Sequence, residues 1–330
     1  MNKTVLYAII LLTLPLGGRC VCADNPFVGH WALTLPTGGP GWLGVTEKDG
    51  SLDAAILWGG GSVKPVTSVK VENDRLVITR VQAQRRGPDK GKKITETITA
   101  TLSGDDLALV TVKARPDGKE FGRAEFRGKC TSPLPTKPDL SRVKFGAPIE
   151  LFNGKDLSGW QALSLKAAMG WSVEDGVLIN RTHHNEGGPR KAHTNIRTER
   201  EFDDFNLTLE ARTLKGSNSG VYLRGIYEVQ VLESYGRPVD SHNMGAIYSR
   251  ITPSVAAEKP IGEWQTLDIT LVDRHVTVIL NDKTIIDNQP LLGCTGGALW
   301  SDPLRAGPIY LQGNHSDIDF RNLVLRPVVK

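Results

Sequence analysis

The chain has 330 residues, about twice an average domain, with 39% hydrophobic and 23% charged side chains. Its 40 basic and 36 acidic residues leave a formal net charge of +4, which excludes a strongly basic nucleic-acid binder. Its 35 glycines and 19 prolines lie near ordinary usage and exclude a collagenous or linker-like chain.

The first feature in chain order is an address. Lys3 precedes an apolar run from Val5 to Leu16, too short for a bilayer-spanning helix of about 20 residues. Val21-Cys22-Ala23 then places small residues where a signal peptidase reads. Residues 1–23 are therefore expected to be a secretory signal cleaved after Ala23. That makes the mature chain periplasmic or secreted, with no membrane segment. A lipoprotein anchor at Cys20 or Cys22 is the rival, opposed by Arg19 where a small residue normally stands. Cleavage also removes Lys3 and Arg19, leaving a net charge of +2, and takes away two of the 4 cysteines. Cys130 and Cys294 remain, no C-x-x-C survives to build a zinc site, and a Cys130–Cys294 bridge is not expected.

Residues 24–130 read as a small antiparallel β domain. Ser68–Glu72 and Arg75–Gln82 alternate around Asn73-Asp74, and Ile94–Leu102 and Asp106–Lys113 alternate around Ser103-Gly104-Asp105. The basic cluster Arg85, Arg86, Lys90, Lys92 and Lys93 fits a solvated hairpin loop. Residues 131–148, with Pro133, Pro135, Pro138 and Pro148, read as a linker. Residues 149–330 return to strand patterns, including Asn206–Thr213, Trp264–Val272, Val276–Leu280 and Ile318–Arg326. Many short antiparallel strands predict a sandwich or jelly roll. The absence of crossover helices argues against parallel α/β, and the one plausible helix, near Leu163–Met169, is short.

The chemistry is concentrated in Asn218–Glu233. Taken as one strand, its odd positions Val221, Leu223, Tyr227, Val229 and Val231 belong to a core. Tyr222, Arg224, Glu228 and Gln230 form a polar stripe on the other face. Glu233 has the wrong parity for that stripe unless a β-bulge follows Gln230. With such a bulge, E-x-Q-x-x-E resembles the E-x-D-x-x-E of laminarinase-type glycoside hydrolases, with Gln230 in place of the middle acid. In that arrangement two carboxylates flank a glycosidic bond.

A more extensive resemblance spans about 150–327. Leu151–Trp160 (LFNGKDLSGW), Trp171–Gly176, Phe205–Glu210, Asn218–Arg224, Tyr227–Gln230, Gly245–Tyr248, Gly262–Trp264 and Leu311–His315 leading to Phe320-Arg-Asn322 follow one another in order. Together they resemble the 3-keto-disaccharide hydrolase domain, long listed as a domain of unknown function. The N-terminal domain has no such match.

The resemblance implies a concanavalin A-like jelly roll acting on glycosides oxidised at C3. A C3 ketone acidifies the C2 proton, so a base can remove it, the C1–O bond can break by elimination, and water can add afterwards. The reaction needs a base at C2, a donor to the C3 oxygen and an acid at the leaving oxygen. On the matching positions, Glu228 is expected as base or nucleophile, Arg224 as oxyanion donor, Glu233 as a second acid or base, and His315 as proton donor. Gln230, Tyr222, Tyr248 and Gln312 are expected to bind substrate, with His242 at the rim and Trp300 as an exposed stacking platform. Trp160 and Trp171 are expected in the core. The partner is a carbohydrate, without nucleic acid. No cofactor is expected, and a divalent metal is left open, the loop carrying His183, His184, Glu186 and His193 being the weak prospect. A non-catalytic carbohydrate-binding module is the main alternative, and a scaffolding role a third.

Overall fold

The computed structural model describes residues 25–84, 90–182 and 191–329. The proposed signal, Arg85 and Arg86 of the basic cluster, and His183, His184 and Glu186 of the prospective metal loop fall outside those residues. The described chain is all-β, with one short 3-10 turn, Leu140–Arg142. The helix expected near Leu163–Met169 is absent. That segment bends instead, with an isolated bridge between Ala168 and His193. Among the described residues no helix is long and apolar enough to cross a membrane.

The N-terminal part contains nine strands: β1 (Gly29–Thr34), β2 (Pro40–Lys48), β3 (Ser51–Trp58), β4 (Lys64–Pro65), β5 (Ser68–Glu72), β6 (Arg75–Ala83), β7 (Lys93–Ser103), β8 (Asp106–Ala114) and β9 (Glu120–Cys130). They form one antiparallel sheet in the order β4-β3-β2-β1-β9-β8-β7-β6-β5. Its two edges, β4 and β5, are joined in the chain by only Val66 and Thr67, so the sheet curls into a barrel. The curl brings the two edges near each other, although no strand pairing joins β4 to β5. Period-2 alternation fills the interior with Trp31, Leu33, Leu43, Val45, Ile56, Leu76, Ile78, Ile98 and Leu109. The Asn73-Asp74 turn carries φ of 49° and 58°, the positive values that a primed hairpin turn requires.

The C-terminal part contains β10 (Ile149–Glu150), β11 (Trp160–Ala162), β12 (Trp171–Glu174), β13 (Val177–Asn180), β14 (Ile196–Thr198), β15 (Phe205–Thr213), β16 (Asn218–Leu223), β17 (Tyr227–Leu232), β18 (Trp264–Val272), β19 (His275–Leu280), β20 (Lys283–Pro290), β21 (Tyr310–Leu311) and β22 (Ile318–Pro327). One sheet runs β12-β13-β22-β15-β18-β19-β20, with β10 on β22. The other runs β11-β14-β21-β16-β17. The two enclose a core that includes Leu207, Leu209, Val221, Val229, Leu267, Ile269, Phe320 and Leu325, giving a jelly-roll sandwich. Trp160 and Trp171 are buried, each donating its indole N–H to a carbonyl, Leu151 O at 2.7 Å and Thr194 O at 3.0 Å.

The segment between the two parts lies against the sandwich. Arg274 donates to Ser132 O at 2.9 Å and Asn288 to Pro138 O at 2.9 Å. Phe145 bridges Val328. Barrel and sandwich also pack directly. Trp42 and Leu57 are cross-strand partners on the outer face of the barrel, and both belong to the sandwich's core cluster. Cys294 is a free, buried thiol, so no Cys130–Cys294 bridge forms.

Candidate active site

The Asn218–Glu233 stretch is a hairpin rather than one strand. β16 and β17 pair antiparallel, joined through Arg224, Gly225 and Ile226, with φ of 54° at Arg224 and 69° at Gly225. Ile226 N–H closes the turn on Leu223 O at 3.1 Å. Arg224 and Gly225 both have positive φ, as a primed turn demands. The register Val221↔Val229, Tyr222↔Glu228 keeps the expected faces. Odd positions enter the core, and even positions face away from it.

β21 pairs with the other side of β16, with Tyr310 opposite Tyr222. Tyr310, Tyr222 and Glu228 therefore stand abreast on three adjacent strands. Strand spacing of about 4.8 Å lets neighbouring rings stack. The two phenol rings do so, with centroids 4.0 Å apart and planes 9° apart. Gly220, on the same face as Tyr222, leaves space for the acid: a Cβ there would collide with Glu228 Oε1.

Glu228 is 3% exposed at the foot of a cavity of about 350 Å³. The cavity is also lined by Tyr222, Tyr310, Gln312, Tyr248, His315 and Asn218, with Asn195, Asn314, Gly296 and Gly297 beside them. Gln312 Nε2 lies 3.5 Å from Glu228 Oε1, and the Glu228 backbone N–H donates to Thr295 Oγ1 at 2.9 Å. Burial raises the Glu228 carboxyl to about 8, and hydrogen bonding from Tyr222 offsets part of that rise. The single Tyr222 hydroxyl proton can serve Gly296 O, 2.7 Å away, or the Glu228 carboxylate, but not both at once. Burial first, then the Glu228 charge, raises the Tyr222 and Tyr310 phenols, so both stay neutral near pH 7.

The loops around this row are held by polar side chains. Asn195 Oδ1 accepts from Gly313 N–H at 2.8 Å and Asn314 N–H at 3.0 Å, and its Nδ2 donates to the Tyr310 hydroxyl at 3.0 Å. Asn180 Nδ2 donates to Gly313 O at 2.9 Å and Ser316 O at 2.8 Å. Together they fix the loop that carries His315 to the cavity mouth. Tyr248 N–H donates to Glu228 O at 3.0 Å, pinning Tyr248 beside β17.

Several expected residues lie elsewhere. Arg224 sits in the hairpin turn. It is 2% exposed and donates to Pro303 O at 2.8 Å and to Arg305 O at 3.0 and 2.6 Å. It clamps the 303–305 loop and does not line the cavity. Glu233 lies beyond β17. The β16–β17 register is regular through Leu232, so no bulge brings Glu233 round, and its carboxylate accepts from Gly216 N–H at 2.8 Å. Gln230 is buried beneath the cavity and reaches Asn218 Oδ1 at 3.4 Å. Trp300 is partly buried rather than an open platform, with the Arg305 guanidinium 3.8 Å from its ring centre. His242 meets Tyr248 edge-on, with centroids 4.9 Å apart, and backs the wall without lining it. His193 points its Nδ1 to Lys191 O at 3.1 Å. Sequence reasoning missed Asn195, Tyr310, Gly296 and Gly297 as site residues.

Comparison with known proteins agrees with the ordered motifs. Residues 147–326 match the family described as the 3-keto-alpha-glucoside-1,2-lyase-like domain. A curated relative, the 3-keto-disaccharide hydrolase of Bacteroides thetaiotaomicron, is 25% identical over 172 residues. The match covers 42% of this chain and 57% of that protein. A crystal structure from Parabacteroides distasonis described as a candidate glycosyl hydrolase is 30% identical. It covers 60% of this chain and 94% of its own, with a TM-score of 0.46. A second from the same organism is 25% identical, covering 55% and 100%, with a TM-score of 0.42. With more than half of its length matched from 147 to 326, the chain belongs to the 3-keto-alpha-glucoside-1,2-lyase-like domain family.

Proposed function

We propose that the protein is an exported enzyme that cleaves glycosides whose sugar carries a ketone at C3. The observation that carries this reading is Glu228, a buried carboxyl poised near pH 8 at the foot of a polar, sugar-sized cavity. Its ionised form takes the C2 proton. The electron pair passes to the C3 oxygen as an enolate, and Gln312 and Tyr248, which line the cavity, would donate to that oxygen. The pair then returns to expel the C1 oxygen, which leaves as an alcohol on protonation by His315. Water adds across the C1–C2 double bond, restoring C2–H and placing hydroxyl on C1, so the sum is hydrolysis.

Two chemical points support the assignment. The low-dielectric site makes Glu228 a stronger base than an exposed carboxylate. The neutral phenols of Tyr222 and Tyr310 flank it without adding charge. Gln230, which stands where the laminarinase-type pattern has its middle acid, does not line the cavity, so its amide is no argument for a non-catalytic module.

Full-length protein is expected to release free sugar from 3-keto-lactose or 3-keto-trehalose. Glu228→Gln should lower kcat by about 10³-fold. No release, or release unchanged in that variant, would contradict the proposal. Export is tested separately, by mass spectrometry of the mature N-terminus, expected at Asp24.

A further inference from the structure

One wall of the cavity comes from outside the family domain. Gly60 and Gly61, between β3 and β4 of the barrel, line the same cavity as Glu228, Tyr222 and His315. The loop approaches the sandwich closely. Gly59 and Gly61 have φ of 78° and 86°, a region costly for other residues, and a Cβ on Gly296 would collide with the Gly61 backbone.

The loop is held at its C-terminal end by two neighbouring contacts, on Ser62 and Val63. Asp240 Oδ1 lies 2.6 Å from His242 Nδ1, and His242 Nε2 lies 2.9 Å from Ser62 Oγ. With the ring proton on Nδ1 facing the carboxylate, Nε2 accepts from the Ser62 hydroxyl. Val63 N–H donates to Ser249 Oγ at 3.0 Å. Behind the loop, Trp42 Nε1 donates to Leu292 O at 2.9 Å, and the Arg250 guanidinium lies 4.4 Å from its ring centre. The edge-on contact with Tyr248 ties His242 to a lining residue as well.

We propose that the Gly59–Ser62 loop of the barrel is a specificity wall of the active site, latched by the Asp240–His242–Ser62 chain. It limits the size of the group that extends beyond the sugar ring engaged by Glu228. The proposal rests on the 3-keto-glycoside reading above.

Gly60 provides the test. Its φ lies outside the left-handed region and a Cβ built on it meets no atom within 4 Å, so a side chain there needs no rearrangement of the fold. Full-length wild type, Gly60→Phe and Ser62→Ala are assayed on a methyl 3-keto-glucoside and on a 3-keto-disaccharide, and the ratio of the two kcat/KM values is compared. Gly60→Phe should move the ratio against the disaccharide by about tenfold or more. Ser62→Ala should release the loop and move the ratio the other way by about threefold, the scale of one hydrogen bond. A ratio unchanged in Gly60→Phe overturns the wall, and one unchanged in Ser62→Ala overturns the latch. A wild type that turns over neither substrate overturns the catalytic reading and the wall with it.

Discussion

Glu228 concentrates the site's electrostatics in one group, and its stability cost can be measured apart from activity. Unfolded, it ionises near its ordinary value of 4.5, and folded near 8. Between those values the unfolded chain gives up its proton first, so this group makes stability fall as pH rises from about 4.5 to about 8, and the loss levels off above. Glutamine has no proton to lose. The stability of Glu228→Gln relative to wild type should therefore widen across that window, reaching on the order of several kcal/mol by pH 9. Urea unfolding at pH 5, 7 and 9 measures it, and a gap constant with pH would contradict the buried-acid assignment. Glu228, Tyr222, Tyr248, Gln312 and His315 were legible in the sequence, through strand alternation and ordered motifs. Asn195 and Tyr310 were not. Each acts through contacts with a segment distant in sequence, as when Asn195 bonds the Gly313–Asn314 backbone, and no local periodicity announces such a contact.

At the scale of elements, the site is a product of register. A continuous strand would separate Tyr222 from Glu228 by six residues, whereas the hairpin sets them face to face. The register pairs Tyr222 with Glu228, so even positions share one face in the hairpin as they would in a single strand. No local signal marks the turn: Arg224-Gly225 lacks the asparagine or aspartate of Asn73-Asp74, and arginine at φ 54° carries no sequence mark. Its clamp on the 303–305 carbonyls offsets the cost of that conformation. The same register explains Gly220. Gly220→Ala would push a methyl into the Glu228 carboxylate and should lower kcat by about tenfold or more while the protein stays folded. Circular dichroism and steady-state kinetics decide it. Full activity in Gly220→Ala would mean that the observed carboxylate position does not matter. Asn195→Leu should likewise reduce kcat, because the loop carrying His315 loses two anchors at once. The effect is expected at about tenfold, and kinetics unchanged in that variant would count against His315 as the proton donor.

At the scale of the molecule, a barrel and a sandwich share one interface. Two β units were legible from strand and turn signals, but the interface was not. Alternation marks which residues leave solvent without saying what covers them, so Trp42 and Leu57 looked like any barrel residues. Trp42 fills the contact, stacked on His30 with centroids 5.5 Å apart and seated against Gly293. Trp42→Ala should cost about 3–5 kcal/mol and split a single unfolding transition into two, read by calorimetry. One transition at an unchanged midpoint would show that the units are not coupled there. The near-neutral charge fits an uncharged sugar ligand better than a polyanion.

The central claim is that the C2 proton leaves before the glycosidic bond breaks, and isotope content at C2 tests it most directly. Turnover of a 3-keto-disaccharide in D2O should give a 3-keto-sugar carrying deuterium at C2, beyond the exchange seen when that product is held in D2O without enzyme. A product that keeps its original C2 proton would contradict the account.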